Sequence, residues 1–375
     1  CRHNKKGIKM RITWTALLCL VLVGCGGEST NSNISAEVEP AQTFNWKLVT
    51  TWPKNFPGLG LAPEHFAENV ERMSNGRLKI KVFGAGQLVP AFEVFDAVSQ
   101  GTAEVGHGAA YYWQGKVPAS AFFTAVPFGL NAQEMNAWLH YGGGLELWRE
   151  LYEPFNLVPY AGGNTGVQMA GWFNREINSM ADIKGLKMRI PGLGGEVFTR
   201  AGGMSVQRSG GEIYTSMQTG EIDAAEWVGP YNDLAFGFHQ IAKYYYYPGW
   251  QEPGPTLELI INKQALESLP ADLQAIVESA ARAANQNMLD EYTARNNAAL
   301  VELVETHGVQ LRKLPDEVLV ELRSIAADVV EEMAAENPLS QRIAKSMKEF
   351  AQQSKSYHAI SEEAYYNARK INLSN

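Results

Sequence analysis

Between residues 44 and 108 two kinds of hydrophobic spacing alternate, and this restricts the fold more than any other feature of the chain. Residues 44–50 (FNWKLVT) alternate as a half-buried strand does. Residues 63–73 carry apolar groups at helical spacing and stop at Ser74-Asn75-Gly76, a helix-terminating signal. A second strand is expected at 78–83, a helix at 90–100 and a short third strand at 104–108. This β-α-β-α-β order predicts a mostly parallel sheet flanked by helices.

The pattern continues downstream. Strands are expected at 121–125, 157–161, 167–174 and 185–190, and helices at 132–151, 195–201 and 211–219. The apolar run 256–261 reads as a return toward the first lobe. A long amphipathic helical region covers 271–307, another begins at 314, and 338–370 is again helical. The expected fold class is therefore α/β: two lobes in the manner of a periplasmic binding protein, a ligand cleft between them, and long C-terminal helices. The expected division is 44–165 mostly lobe I, 166–255 mostly lobe II, 256–337 the return and spanning helices, and 338–375 a C-terminal helix.

The N-terminal region reads as an export signal. A basic stretch at Met10-Arg11 precedes an apolar run over 12–23 that closes on Leu22-Val23-Gly24-Cys25. The run is shorter than the roughly 20 apolar residues a spanning helix needs. Leu-Val-Gly-Cys resembles a bacterial lipobox, which implies cleavage before Cys25 and lipidation of its thiol. Residues 1–9 are expected to lie upstream of the true start at Met10, and 26–43 form a polar tether. The three cysteines are Cys1, Cys19 and Cys25, so the mature chain would have no disulfide and would rest on its core. The net charge is −8, and loss of 1–24 removes five basic residues and no acid, leaving −13. Such a chain is a poor general binder of nucleic acid or of anionic lipid. Its membrane contact would come only through the lipid anchor, and an anion would need a local pocket.

Arg189 offers the core of one. It ends the apolar run Gly185-Leu186-Lys187-Met188-Arg189-Ile190 and precedes Pro191-Gly192-Leu193-Gly194-Gly195-Glu196. This reads as strand, tight turn and helix start, setting a planar fork of donors beside a helix N-terminus; both favour a carboxylate. Motifs for catalysis are missing: there is no His-Glu-x-x-His, Gly-x-Ser-x-Gly or Walker-type Gly-Lys-Ser/Thr. The histidines after the signal, among them His107, are scattered and read as packing or surface residues. Glu226 lies in an apolar setting (Ala224-Ala225-Glu226-Trp227-Val228) and needs an Arg, a metal ion or its own proton as partner. Glu252 sits in a stiff Pro/Gly loop, and Gln168 on an apolar strand. Two carboxylates, an amide oxygen and backbone carbonyls suit a hard cation such as sodium or calcium. Spacing alone does not bring these segments together, and each side chain can be satisfied separately. Tyr111 and Tyr112, at a strand end, offer an aromatic wall from which at least one hydroxyl reaches a ligand.

Taken in order, Ala109 to Lys116 (AAYYWQGK), Gly162 to Met169 (GGNTGVQM), Asp182 to Gly192 (DIKGLKMRIPG) and Glu226 to Pro230 (EWVGP) resemble the extracytoplasmic solute-binding subunits of tripartite ATP-independent periplasmic (TRAP) transporters, the DctP-type family. Within it they are most similar to the branch that binds 2-oxo acids such as pyruvate together with a cation. The resemblance runs from about Phe44 to the C-terminal helices. It implies two α/β lobes with a long helix spanning both. Arg189 would pair with the substrate carboxylate, and Gln168, Asn164, Tyr111, Tyr112 and Trp227 would complete the substrate site. Gln168, Glu226, the Trp227 carbonyl and Glu252 would hold sodium or calcium. TRAP permease subunits would be the partners, and the C-terminal helix a dimerisation element in a homodimer. The lipobox departs from the many relatives that are free in the periplasm.

Other functional readings stay open at this stage. A lactate-like hydroxy acid, a dicarboxylate or a sugar acid would fit the same site. An exported metal-dependent lyase or hydrolase, or a sensor subunit, would use similar residues.

Overall fold

The structure is a computed structural model that describes residues 42–371; the expected signal, the lipidation site Cys25 and most of the tether lie outside the described residues. The alternating opening is realised as β1 (Phe44–Thr50), α1 (Ala62–Met73), β2 (Leu78–Phe83), α2 (Val94–Ser99) and β3 (Val105–Gly108). β1 pairs in parallel with β2 on one side and β3 on the other. After 3-10 turns come α3 (Ala132–Tyr141), α4 (Gly144–Tyr152) and β4 (Leu157–Asn164). The chain then builds a second sheet region with β5 (Gly171–Phe173), β6 (Lys187–Arg189), α5 (Gly192–Arg200), β7 (Met204–Val206), α6 (Gly210–Gln218), β8 (Ala224–Ala225), α7 (Pro230–Phe236) and β9 (Tyr244–Tyr247). β10 (Thr256–Asn262) returns to the first sheet, antiparallel between β3 and β4. α8 (Lys263–Glu267) and α9 (Ala271–Val301) follow, then β11 (Gln310–Lys313), α10 (Asp316–Ala335), α11 (Pro338–His358) and α12 (Glu362–Ala368).

The two sheets run β2-β1-β3-β10-β4 and β11-β9-β5-β8-β6-β7. The chain thus crosses between them at β4–β5, at β9–β10 and again before β11, which is the two-lobed α/β architecture. α9, at 31 residues, is about 46 Å long at the α-helical rise. Leu273, Val277, Ala280 and Ala284 bury its first half in the core under the first sheet. Tyr292 enters the core of the second lobe, and α9 packs on both β4 and α7. It is the spanning helix. α11 lies on its own chain: Ile343 and Met347 join the core of Trp138, Trp148 and Phe123, and Arg342 grips Glu150 with two hydrogen bonds of 2.7 and 2.9 Å.

Several local expectations are corrected. Residues 121–125 are no strand; Ala121, Phe122 and Phe123 end a 3-10 turn, Pro118–Phe123. All five of these residues are buried, so the short apolar run marked burial rather than strand. The helix expected over 132–151 is split by Gly142 and Gly143, the latter with φ 82°. Of the strand expected over 167–174 only Gly171–Phe173 forms. Both sheets are mixed rather than mostly parallel: β10 runs against its neighbours, and β5 opposes β8 and β9.

Glu258 is fully buried in β10 and accepts hydrogen bonds from Trp113 Nε1 and from Tyr152 Oη (2.9 Å). Burial raises its pKa from 4.5 to about 7, against the pull of those two donors. The folded state therefore holds a proton the unfolded chain has lost. Its stabilising effect is complete below the unfolded pKa and is lost as pH rises through the folded one. Denaturant unfolding between pH 4.5 and 8 is expected to show this contribution falling with a slope of up to about 1.4 kcal/mol per pH unit. Glu258→Gln is expected to flatten that portion of the profile; an unchanged profile would refute the assignment.

Candidate functional site

Four segments distant in sequence meet through backbone hydrogen bonds. The Glu226 N–H donates to the Arg189 carbonyl (3.0 Å), joining the loop after β8 to the end of β6. The Met169 N–H donates to the Val228 carbonyl (2.9 Å), and the Gln168 N–H to the Glu252 carbonyl (3.1 Å). The Gln251 side chain adds a bond from Nε2 to the Met169 carbonyl (2.8 Å). Gly249 permits this crossing, because a Cβ there would stand 2.1 Å from the Gln168 carbonyl oxygen. Arg189, Glu226, Gln168 and Glu252 are thereby set on adjacent backbones, and each is buried.

Arg189 is 1% exposed. Its Nη1 donates to the Glu226 carbonyl (2.9 Å) and to Glu226 Oε1, Nε to the Arg208 carbonyl (3.2 Å), and Nη2 to Tyr112 Oη (3.2 Å). Its guanidinium carbon lies 5.2 Å from the Trp227 ring centroid, in cation–π range. A guanidinium has five N–H donors, so this arrangement leaves one on Nη2. Burial opposes the charge of Arg189, but Glu226 and the neighbouring tyrosines outweigh it and raise its pKa further.

Glu226 Oε2, both Glu252 carboxylate oxygens and Gln168 Oε1 are buried without a hydrogen-bond partner. Burial pushes Glu226 up to about 7, with Arg189 pulling the other way. Burial, followed by the charge of Glu226, drives Glu252 well above the usual carboxylate range. An uncompensated buried acid costs several kcal/mol unless it is paired, protonated or bound to a metal. The orphaned atoms are all oxygens, from two carboxylates and an amide, which is the donor set of a hard cation such as sodium or calcium. Among the described residues no three His, Cys, Asp or Glu side chains converge as a metal cluster, so amide and carbonyl oxygens would have to complete a shell.

Tyr111 and Tyr112 belong to the 3-10 turn Ala110–Trp113 beyond β3. Tyr111 packs on Gly192 at the start of α5, which has φ +62° and whose Cβ would stand 2.9 Å from the tyrosine ring. Tyr112 takes the Arg189 bond, and burial pushes its hydroxyl up to about 12. The indole N–H of Trp227 is buried and unpartnered. Asn164 lies apart in its bonding: Nδ2 donates to the Gly254 carbonyl (3.1 Å), and its Oδ1 accepts from the Gly166 N–H (2.9 Å). Its amide fastens the loop that carries Gln168 to the loop that carries Glu252.

The sequence reading missed Trp52. Its ring lies 6.0 Å from that of Tyr112 and 5.9 Å from that of Trp227. It follows the carboxyl end of β1, and in open α/β sheets that end faces the ligand crevice; this position was the available signal. Also missed was Asp233, which accepts from Trp172 Nε1 (3.0 Å), Tyr245 Oη (2.6 Å) and the Val228 N–H (3.3 Å), bracing the Glu226 loop from beneath.

Removing the guanidinium should expose the imbalance. Arg189→Met leaves Glu226 buried without its counter-charge, and chemical denaturation is expected to show a loss of roughly 3–5 kcal/mol. Adding Glu226→Gln is expected to recover most of it. A single variant as stable as the parent would contradict the pairing.

The family model described as bacterial extracellular solute-binding protein, family 7, matches residues 48–337. The monocarboxylate 2-oxoacid-binding periplasmic protein of Nostoc sp. is 44% identical over 346 residues, covering 92% of this chain and 93% of the relative. A TRAP periplasmic solute-binding protein from Pseudoalteromonas atlantica, solved with bound sodium and pyruvate, superposes with a TM-score of 0.85 at 42% identity, covering 87% of this chain and 99% of the other. A TRAP solute-binding protein from Bordetella bronchiseptica was solved as a mixed-occupancy dimer with copurified calcium and picolinate in one site. It gives a TM-score of 0.86 at 38% identity, covering 88% and 97% of the two chains. The two-lobed fold, the spanning helix and these matches together establish that the chain belongs to the family 7 extracellular solute-binding proteins, the solute receptors of TRAP transporters.

Proposed function

We propose that this protein captures a small 2-oxo monocarboxylate of the pyruvate class, together with one sodium or calcium ion, outside the cytoplasm and delivers it to TRAP permease subunits. The observation that carries this reading is the set of buried, unpartnered oxygens on Gln168, Glu226 and Glu252 beside Arg189. Two carboxylates already face one guanidinium, so a bound anion would deepen the negative excess unless a cation came with it. Gln168, Glu226, Glu252 and the Trp227 carbonyl would hold that cation, which when bound offers a second positive anchor for adjacent carboxylate and keto oxygens. Arg189 would take the ligand carboxylate through its remaining Nη2 donor, with Tyr111, Tyr112 and Trp227 excluding water around it. The relatives bound to pyruvate and to picolinate with metal ions support the same class.

The reading is of a receptor, not an enzyme: its side chains hold and orient an acid, and the nearby His107 has both ring nitrogens engaged. The division of the chain into lobe I over 44–165 and lobe II over 166–255 is supported by the strands' membership of the two sheets; of the return expected over 256–337, β10 joins the first sheet, whereas β11 pairs with β9 in the second. Lipidation at Cys25 is proposed on the Leu-Val-Gly-Cys sequence, with the anchored protein facing the periplasm. Exposed Tyr357, Tyr365 and Tyr366 on the C-terminal helices, with Ile360 in the turn between them, support a homodimer.

Protein unfolded, dialysed against chelator in sodium-free buffer and refolded would be melted with pyruvate, lactate and dicarboxylates, with and without sodium and calcium. Pyruvate with a cation is expected to raise Tm, corresponding to about 2.7 kcal/mol at a ligand concentration 100 times Kd. Arg189→Lys is expected to reduce the rise. No rise with any 2-oxo acid in the presence of both cations would sink the proposal, and a larger rise with lactate would replace the 2-oxo acid by a hydroxy acid.

A further inference from the structure

We propose that Trp52, held in place by His107, is the residue that limits the size of the acid this site accepts. This inference rests on the 2-oxo acid reading and narrows it. Trp52 is a lobe I residue, yet its ring touches the two aromatics that flank Arg189 from opposite lobes. Tyr112 reaches the Arg189 Nη2 at 3.2 Å, and Trp227 lies under the guanidinium at 5.2 Å; Trp52 is 6.0 Å from the first ring and 5.9 Å from the second. It is 2% exposed, so its indole occupies space beside the anion-binding group.

The indole is not free to swing aside. Trp52 Nε1 donates to His107 Nδ1 at 2.8 Å, and His107 Nε2 meets the Gly162 carbonyl at 3.2 Å. Those two bonds fix the tautomer, with the ring proton on Nε2. Burial keeps the ring neutral, lowering its pKa to about 4. The backbone is tied as well: the Ala85 N–H donates to the Trp52 carbonyl at 2.8 Å. A rigid indole rejects bulk at a cost a mobile side chain would not impose, and one methylene in an apolar pocket is worth about 10- to 200-fold in discrimination. Trp52 is thus a specificity residue, and His107 a positioning residue acting through it.

The test is the ratio of Kd values for pyruvate, 4-methyl-2-oxopentanoate and phenylpyruvate, measured by calorimetry with the cation supplied. The parent protein is expected to prefer pyruvate. Trp52→Leu is expected to shift the ratio toward the two larger acids by about tenfold or more. Trp52→Phe, which keeps more of the core filled, is expected to shift it less in the same direction. His107→Leu should move the ratio as well, and His107→Gln, whose amide oxygen can accept the indole N–H, should restore it. A merely structural role would weaken all three acids equally and lower Tm without moving the ratio. An unchanged ratio in both Trp52 variants, or a parent that binds phenylpyruvate as tightly as pyruvate, overturns the inference. A parent that binds none of the three overturns the underlying 2-oxo acid reading, and this inference with it.

Discussion

One buried guanidinium faces two buried carboxylates, and the rest of the site is arranged around that imbalance. Arg189 satisfies Glu226 on one oxygen only and leaves Glu252 wholly without a hydrogen-bond partner. Such a set is expensive in a folded core unless protons or a cation balance it. Both carboxyls are accordingly raised in pKa by burial. The same arrangement makes an acidic protein able to hold an anion: the local charges are prepared for a positive partner, and the anion arrives opposite that partner and Arg189.

The fold supplies the rigidity this demands. The site residues sit on loops at strand ends, but the loops are joined to one another by backbone hydrogen bonds, from Arg189 to Glu226, from Val228 to Met169 and from Glu252 to Gln168. Asp233 braces the Glu226 loop through Trp172 and Tyr245. Lobe I contributes the aromatic face of Trp52, Tyr111 and Tyr112, and lobe II the charged one. α9 and its contacts with α7 join the two lobes: Tyr292 Oη donates to Asn232, whose own amide donates to the Pro57 carbonyl at 2.9 Å. Groups from both lobes therefore surround the guanidinium, and water is kept from it.

Much of the architecture was legible because it rests on periodicity. The alternation over 44–108 became β1 to β3 with their helices, and the apolar run 256–261 returned to the first sheet as β10. The apolar run ending at Arg189 became β6, with α5 starting at Gly192 directly after Pro191. Where burial and periodicity diverge, the reading failed: residues 121–125 are buried without being extended, and Gly142 and Gly143 cut one helix into α3 and α4. The residue types of the candidate site were also legible, since a carboxylate among alanines announces its need for a partner. Their convergence was visible only through the family resemblance, because it depends on loop-to-loop hydrogen bonds that leave no periodic trace. The engagement of Arg189 by Glu226, the Asn164 amide spent on two loops, and the Trp52–His107 pair left no signal of that kind either.

The central claim is that acid and cation occupy the site as a pair. Native mass spectrometry of the protein as purified, before and after chelator treatment, tests it most directly. The account predicts a population heavier than the bare chain by one small 2-oxo acid plus one sodium or calcium ion, with both masses lost together when the cation is removed, by chelation for calcium or by sodium-free dialysis for sodium, or in a Glu252→Gln variant. A protein that retains the acid at full occupancy with no cation would contradict it.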